Sequence, residues 1–372
     1  MSDRINRLRR GAAIGATTLL GAAVLAGCAD QDNQQTSLDP KGPDAQQILD
    51  LFSPFFWIAV VIGVGVIAGT VYVALRFREK PGEPRSPKQV HGNTVLEVGW
   101  TIVPALILVV MAVPTVATIF DLAEKPGEGS LTIDVVGKQW WWEYEYVGEG
   151  VVTANELHIP VGRPVELRIS APEDGVIHSF WVPNLAGKKD AVPGREHFLR
   201  LEASEPGVYF GQCAEYCGLS HADMRLRVIA QPEDEFRSWL ESQREPLPAS
   251  DGAFVRDVLT DSWGCTGCHR VDVEGTEPSD IRTGPNLTHL GDRSSFAAGI
   301  YDTNVDELTE WVYDAPARKP FGPLNPLKRM PSFKDGGMTR EQAREIAQFL
   351  CTTATDPENE QRCLRGSDEV QQ

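Results

Sequence analysis

The sequence predicts a multidomain chain: a two-helix transmembrane hairpin, then an all-β sandwich, then an all-α domain. Three observations carry that reading. Two apolar runs, Pro54 to Phe77 and Val98 to Phe120, each reach the length of about 20 residues that a helix needs to cross hydrocarbon. Past Gly127 the runs shorten and several alternate. "LTIDVV", "WWWEYEY", "PVELRIS" and "HFLRLEA" are rich in β-branched and aromatic residues and separated by Gly, Pro, Asn or Asp, as in a small antiparallel sandwich ending near Ala230. From Gly252 the periodicity turns helical at "AFVRDVLT", "VDELTEWVYDA" and "TREQAREIAQFL", joined by Gly/Pro-rich loops.

The expected boundaries are a signal segment over 1–27, an N-terminal segment with the hairpin over 28–126 and the β domain over 127–230. A short helix ("EDEFRSWLESQ") and a linker ("REPLPASDG") follow over 231–251, and the all-α domain fills 252–372. The first segment has a basic start, "MSDRINRLRRG", an apolar stretch, "AAIGATTLLGAAVLA", and small residues before a cysteine, "LAGC". It resembles a bacterial lipoprotein signal, which implies cleavage before Cys28 and lipid on its sulfur. An ordinary secretory signal cut near the same place is the alternative, and either puts the mature N-terminus outside the cytoplasm. Between the apolar runs, Arg76, Arg78, Lys80, Arg85 and Lys88 face only Glu79 and Glu83, so the positive-inside bias places this loop in the cytoplasm of a bacterial cell and everything after Phe120 outside. With 35 Lys+Arg against 52 Asp+Glu, the net charge of -17 argues against nucleic acid and suits a partner with a basic face.

The stretch "GQCAEYCGLSHADM", Gly211 to Met224, gathers two cysteines, a glutamate, a histidine and a methionine. Thiolate, imidazole and thioether are the ligands of electron-transfer copper. A single-copper site needs one cysteine; Cys213 and Cys217 together can bridge two ions, with His221 and Met224 capping the cluster. One more histidine is required from elsewhere, and His178 in "VIHSFWVP" is the first choice over His158 and His197. An exported cysteine pair is most often a disulfide, and Cys/His clusters often hold zinc. A disulfide leaves the two histidines and the methionine unexplained, and zinc gains nothing from a thioether.

"VLEVGWTIVPALIL", "GKQWWWEYEY", "IHSFWVP", "KKDAVPGR" and "PGVYFGQCAEYCGLSHADM" together make about Leu51 to Gln243 resemble cytochrome c oxidase subunit II. The resemblance implies a cupredoxin-like Greek-key sandwich carrying the binuclear copper centre CuA. Cys213 and Cys217 would bridge both coppers, His178 and Met224 would complete one, and His221 with the backbone carbonyl of Glu215 the other. The Glu215 carboxylate would reach a magnesium shared with subunit I. Trp140 matches the aromatic through which the family passes electrons from a docked cytochrome, with Trp141 and Trp142 as close competitors. Glu97 matches a glutamate at the cytoplasmic entrance of a proton pathway; Thr94 and Glu97 also read as a capping box at the start of the second spanning helix.

"CTGCH", Cys265 to His269, is the attachment pattern of c-type haem: two thioethers hold the porphyrin and the adjacent histidine ligates iron. The sixth ligand follows by elimination among the methionines. Met1 is lost with the signal, Met111 lies in the membrane and Met224 is claimed by copper. Met338 precedes Thr339, a helix N-cap, and reads as a hydrophobic staple, which leaves Met330 in "KRMPSF", with His289 as the bis-histidine alternative. The region resembles a class I cytochrome c, and the whole chain is similar to subunit II of a caa-type oxidase. Cys351 and Cys363 depart from that pattern; outside the cytoplasm they are expected to pair as a disulfide that ties down the tail.

The resemblance implies that an external donor, cytochrome c or a quinol:cytochrome c oxidoreductase, reduces the haem, that copper follows, and that subunit I reduces oxygen with coupled proton translocation. Subunit I, and subunit III with it, are the implied partners. The spanning segments hold no histidine, so oxygen chemistry belongs elsewhere. Another CuA-containing reductase, such as a nitric oxide reductase, is the alternative, against which "LEVGWTIVP" weighs. A copper-delivery lipoprotein has no use for covalent haem, and quinol oxidases of this type lack the copper ligands.

Overall fold

The computed structural model describes residues 34–78, 91–127, 129–321 and 329–366. Cys28 and the loop cations Lys80, Arg85 and Lys88 lie outside them. Two helices, α1 (Pro43–Arg76) and α2 (Thr94–Leu122), each contain an apolar stretch of mean hydropathy 2.5, and none of the residues in those stretches is buried. Apolar surface on that scale suits lipid, not water.

At 34 residues α1 is longer than its apolar run, because its first turns dock on the β domain. With a rise of about 1.5 Å per residue it spans roughly 50 Å, against about 30 Å of hydrocarbon. Asp44 and Ala45 are buried there. The Arg200 guanidinium donates to both Asp44 oxygens, at 3.0 and 3.2 Å from Nε and 2.6 Å from Nη2, and the Ala45 N–H donates to the Leu185 carbonyl at 3.2 Å. Asp44→Ala leaves the partly buried guanidinium with only the more exposed Asp121, 3.5 Å away, and an expected loss of about 2 kcal/mol should appear as earlier thermal unfolding of the β domain in detergent.

The start of α2 differs from the expected Thr94 capping box. Asn93 is the cap: its side chain accepts from Val95 and Leu96 N–H at 3.1 and 3.3 Å, and Glu97 reaches back to the Asn93 N–H at 3.2 Å. Asn outranks Thr as an N-cap, so the helix begins one residue earlier and takes Thr94 into its first turn.

The sandwich has ten strands. β1 (Leu131–Lys138), β2 (Trp141–Tyr146), β3 (Val151–Ala154), β5 (Val165–Ser170) and β8 (His197–Leu201) form one sheet in the order β3-β2-β1-β5-β8. β4 (Glu156–Pro160), β6 (His178–Trp181), β7 (Lys189–Ala191), β9 (Gly207–Cys213) and β10 (Arg225–Gln231) form the other, in the order β4-β10-β9-β6-β7. The expectation of an antiparallel sandwich is corrected here, since β1 pairs with β5 and β4 with β10 in parallel. Alternation reports which face is buried and carries no information on strand direction, which the crossings between sheets decide.

Helix α3 (Glu233–Ser242) buries Phe236 and Leu240 against this sandwich. The following segment is less free than a linker. Leu247 is buried in the second core, and its N–H and carbonyl exchange hydrogen bonds with Asp272 and Glu274 at 2.9 and 2.8 Å. The helical domain opens with an α-turn, Gly252–Phe254, that continues π-wound over Val255–Ser262. It then builds on α4 (Val305–Arg318), α5 (Arg340–Thr352) and α6 (Pro357–Leu364), with a two-stranded ribbon, Ser295–Phe296 and Tyr301–Asp302. Thr339 caps α5 in a capping box with Gln342, and Met338 beside it is buried in the core. Cys351 and Cys363 are disulfide-bonded, tying α5 to α6 across 12 residues. Replacing both by serine should cost about 3 kcal/mol by releasing a short closed loop, read as a lower denaturant midpoint of the helical domain.

The two extramembrane domains share a polar seam. Buried Glu156 accepts from the N–H groups of Ser294 and Ser295 at 3.1 and 2.8 Å, and from their hydroxyls at 2.6 and 2.7 Å. Lys138 donates to the Arg282 carbonyl at 2.6 Å, and Arg282 pairs with Glu145 at 2.6 Å. This seam explains why β2 is buried along nearly its whole length: its outer face packs on the helical domain, where Trp141 meets Ala298.

Candidate metal centre and haem cavity

The antiparallel register of β6 and β9 pairs Phe180 with Cys213, and the Ala214 N–H donates to the Ser179 carbonyl at 2.9 Å. One residue further, His178 meets the loop at the level of Glu215. Its Nδ1 lies 3.9 Å from Cys213 Sγ, while its buried Nε2 has no hydrogen-bond partner. The loop after β9 then turns back through a 3-10 turn, His221–Asp223, and the Cys213 N–H on the Met224 carbonyl closes it at 2.8 Å. Cys217 Sγ thereby comes within 3.8 Å of Cys213 Sγ, 3.7 Å of His221 Nδ1 and 3.9 Å of Met224 Sδ. The Glu215 carbonyl lies 3.2 Å from Cys213 Sγ. His178, Cys213 and Cys217 place their ligand atoms within 4.8 Å of one another, all buried.

The six sequence-predicted ligand residues are therefore gathered around two sulfurs. The other histidines are used elsewhere: His158 bonds Gln231 and stacks on Trp239 with ring centroids 3.9 Å apart, and His197 bonds the Asp190 carbonyl. Contact with the Cys217 sulfur, aided by His178 and the Glu215 carbonyl, holds the Cys213 thiol well below its usual range, and the proton shared between the sulfurs pushes Cys217 upward. One proton leaves easily and the second is resisted, an arrangement that a cation between the sulfurs would relieve. Soft sulfur and imidazole donors with a thioether fit copper and give zinc no use for Met224.

Trp140 and Gln139 support the loop from beneath. The Trp140 Nε1–H and the Gln139 amide both donate to the Cys217 carbonyl, at 3.1 and 2.8 Å. Gly218, at φ 116°, permits this approach, since a Cβ there would sit 3.0 Å from the Trp140 ring. Trp142 is fully buried and packs edge-on to His178, ring centroids 6.0 Å apart. Of the three tryptophans, Trp140 is the one that bonds the copper loop.

On the other side of Trp140 lies a cavity lined by Cys265, Cys268, His269 and Met330, with Trp140, Trp141 and Phe321 in its wall. Cys265 to Gly267 form a 3-10 turn, and the His269 N–H closes onto the Cys265 carbonyl at 3.0 Å. His269 Nδ1 bonds the Pro285 carbonyl at 2.8 Å, which leaves Nε2 for a metal. A Cβ on Gly284 would lie 2.6 Å from the His269 ring, so glycine alone permits that packing. Burial pushes the Cys265 thiol up to about 11 and keeps His269 below the usual imidazole range. A neutral imidazole is the form that ligates a metal. His289 lies away from the cavity lining, with Nε2 on the Glu245 carbonyl at 2.8 Å. Met330 is half-buried in the lining, whereas Met338 belongs to the core.

Lys319 is a residue the sequence did not single out. It is 3% exposed, and its ammonium donates to the carbonyls of Trp140, Asp223 and Ala297 at 2.9, 2.8 and 3.1 Å. Burial pushes its pKa down to about 7, against the pull of Asp223 and Cys217. A lone lysine between "DAPAR" and "PFGP" carries no periodic or spacing signal that could have marked it.

Fold and donor sets define a class: a membrane-anchored redox protein with a copper-type cupredoxin domain and a c-type cytochrome domain on one chain. The family profiles for the transmembrane and periplasmic domains of cytochrome c oxidase subunit II match residues 31–118 and 149–231, and that for cytochrome c matches 258–354. Cytochrome c oxidase subunit 2 of Alkalihalophilus pseudofirmus is 38% identical over 333 residues, 88% of this chain and 92% of that protein. Quinol oxidase subunit 2 of Bacillus cereus is 33% identical over 241 residues, 63% of this chain and 81% of that one. The solved periplasmic domain of subunit II of cytochrome oxidase from Bradyrhizobium japonicum is 32% identical, covering 32% of this chain and 96% of that one, with TM-score 0.30. The chain belongs to the cytochrome c oxidase subunit II family, in the caa-type form with a fused cytochrome c domain, and is part of a haem-copper oxidase.

Proposed function

We propose that this chain is the electron-input subunit of the oxidase, taking electrons from an external donor at haem c and passing them by CuA to subunit I, with coupled proton translocation. The observation that carries the reading is the shared wall: Trp140 bonds the carbonyl of Cys217 and also lines the cavity of the "CTGCH" motif. When bound, the haem and the copper pair supply one-electron chemistry with little rearrangement. Cys265 and Cys268 attach the porphyrin, His269 and Met330 ligate its iron, and the Pro285 carbonyl fixes the histidine's orientation. Cys213, Cys217, His178, His221, Met224 and the Glu215 carbonyl hold the copper pair.

Trp140 is 3% exposed, so a free cytochrome cannot dock on it as the family resemblance implies. The chain's own cytochrome domain occupies that position, and the external donor, cytochrome c or a quinol:cytochrome c oxidoreductase, meets the haem domain instead. The Glu215 carboxylate is proposed to reach a magnesium shared with subunit I; its Oε1 accepts from the Tyr216 N–H at 3.2 Å. Glu97 is proposed both to cap α2 and to stand at the proton-path entrance, on the cytoplasmic side set by the positive-inside bias. Subunits I and III are the proposed partners, and Cys28 the proposed lipid anchor.

The test is electron paramagnetic resonance on the purified copper-loaded protein, with an optical spectrum of the same sample. One unpaired electron shared over two copper nuclei, beside a low-spin c-type haem, is expected. A single-copper signal, or none, in protein with Cys213 and Cys217 reduced and its haem present would overturn the copper assignment and favour zinc or copper delivery.

A further inference from the structure

Lys319 follows α4 and stands where the copper loop, Trp140 and the haem cavity meet. An ammonium has three protons to donate, and three carbonyls accept from Lys319. Two belong to the β domain: Trp140, whose indole bonds Cys217, and Asp223, which precedes Met224. The third, Ala297, belongs to the cytochrome domain. The next residues continue the contact. The Ser220 hydroxyl, on the copper loop, donates to the Pro320 carbonyl, and the Phe321 ring lies 6.3 Å from the Trp140 ring. Lys319 and Phe321 also line the haem cavity. Burying an ammonium is costly unless every proton finds an acceptor held in place, so this site is satisfied only while the two domains stay together.

Resting on the assignment of the two centres above, we propose that Lys319 is the staple that fixes the cytochrome domain on Trp140 and the copper loop. Electrons then cross between the chain's two centres in one set arrangement, with no docking step. Lys319 is a positioning residue: it acts through the placement of Trp140 and the loop.

The experiment uses the whole purified oxidase and the variant Lys319→Met, which keeps stem length and removes the donors. A photoreductant delivers one electron to the haem, its transfer to copper is followed optically, and the measurement is repeated in rising glycerol. The wild-type rate should be independent of viscosity. In K319M it should fall by about tenfold or more and decrease further as viscosity rises, because a loosened domain must first find its position. Hydrogen exchange at residues 139–142 and 319–321 should quicken in parallel. A K319M rate within about twofold of wild type and independent of viscosity, with both centres spectroscopically intact, would overturn the proposal. So would a fall in rate without viscosity dependence, accounted for by a shift in the measured potentials. Should K319M lose either centre, Ser220→Ala, which removes only the hydroxyl on Pro320, decides by the same criterion. Failure of the underlying assignment would show separately, as a wild-type sample without the two-copper signal or without c-type haem.

Discussion

Cys217→Ser is expected to abolish the two-copper signal and to reduce electron delivery to subunit I to background, a loss of about a thousandfold or more. Cys217 Sγ is the hub of the site, 3.8 Å from Cys213 Sγ, 3.7 Å from His221 Nδ1 and 3.9 Å from Met224 Sδ. A hydroxyl is a hard donor that ionises far less readily than a thiol and cannot bridge two soft ions. The fold should survive, because the supporting bonds from Trp140 and Gln139 go to the backbone carbonyl, which the substitution leaves in place. Copper content by elemental analysis, with the paramagnetic spectrum, checks the outcome; a two-copper signal persisting in C217S would remove Cys217 from the ligand set.

Met330→Leu is expected to leave the haem covalently attached and to change its ligation. Loss of a thioether axial ligand should lower the potential on the order of 0.2 V, within the range that axial ligands command. At about 59 mV per tenfold for one electron, that shifts the reduction equilibrium by roughly three decades. The haem would then draw electrons poorly from its donor. Optical redox titration reads the potential, and the methionine-sulfur absorption of the oxidised protein should vanish. The control is Met338→Leu, which replaces a buried core residue beside the α5 cap; it should leave the potential unchanged and alter stability only slightly. If M338L moved the potential and M330L did not, the sixth ligand would have been misassigned.

Much of this chain was legible in sequence because its chemistry is local. Cys213, Cys217, His221 and Met224 fall within one loop, and Cys265, Cys268 and His269 within one turn, so spacing alone brings their donors together. The spanning helices announce themselves by length and hydropathy, which depend on no partner within the chain. The burial alternation of β1 and the N-cap at Thr339 were likewise readable, since period and cap chemistry are properties of a few consecutive residues.

Features that depend on what lies across a gap were not. Strand direction in the β1–β5 and β4–β10 pairs is decided by how the chain crosses between sheets. The segment around Leu247 read as a linker because its anchors, Asp272 and Glu274, arrive from more than twenty residues away. At α2 the pattern of Thr94 and Glu97 competed with a better cap one residue earlier.

The sequence by itself determined which redox centres this protein is built to carry, because ligand type and short spacing are written in consecutive residues. Only the tertiary structure decided how the two sets of ligand residues lie relative to each other. Trp140 lies between them, covered by the chain's own cytochrome domain, and Lys319 joins three carbonyls from two domains. A buried ammonium becomes stable only when acceptors distant in sequence converge on it, and no local pattern records that convergence.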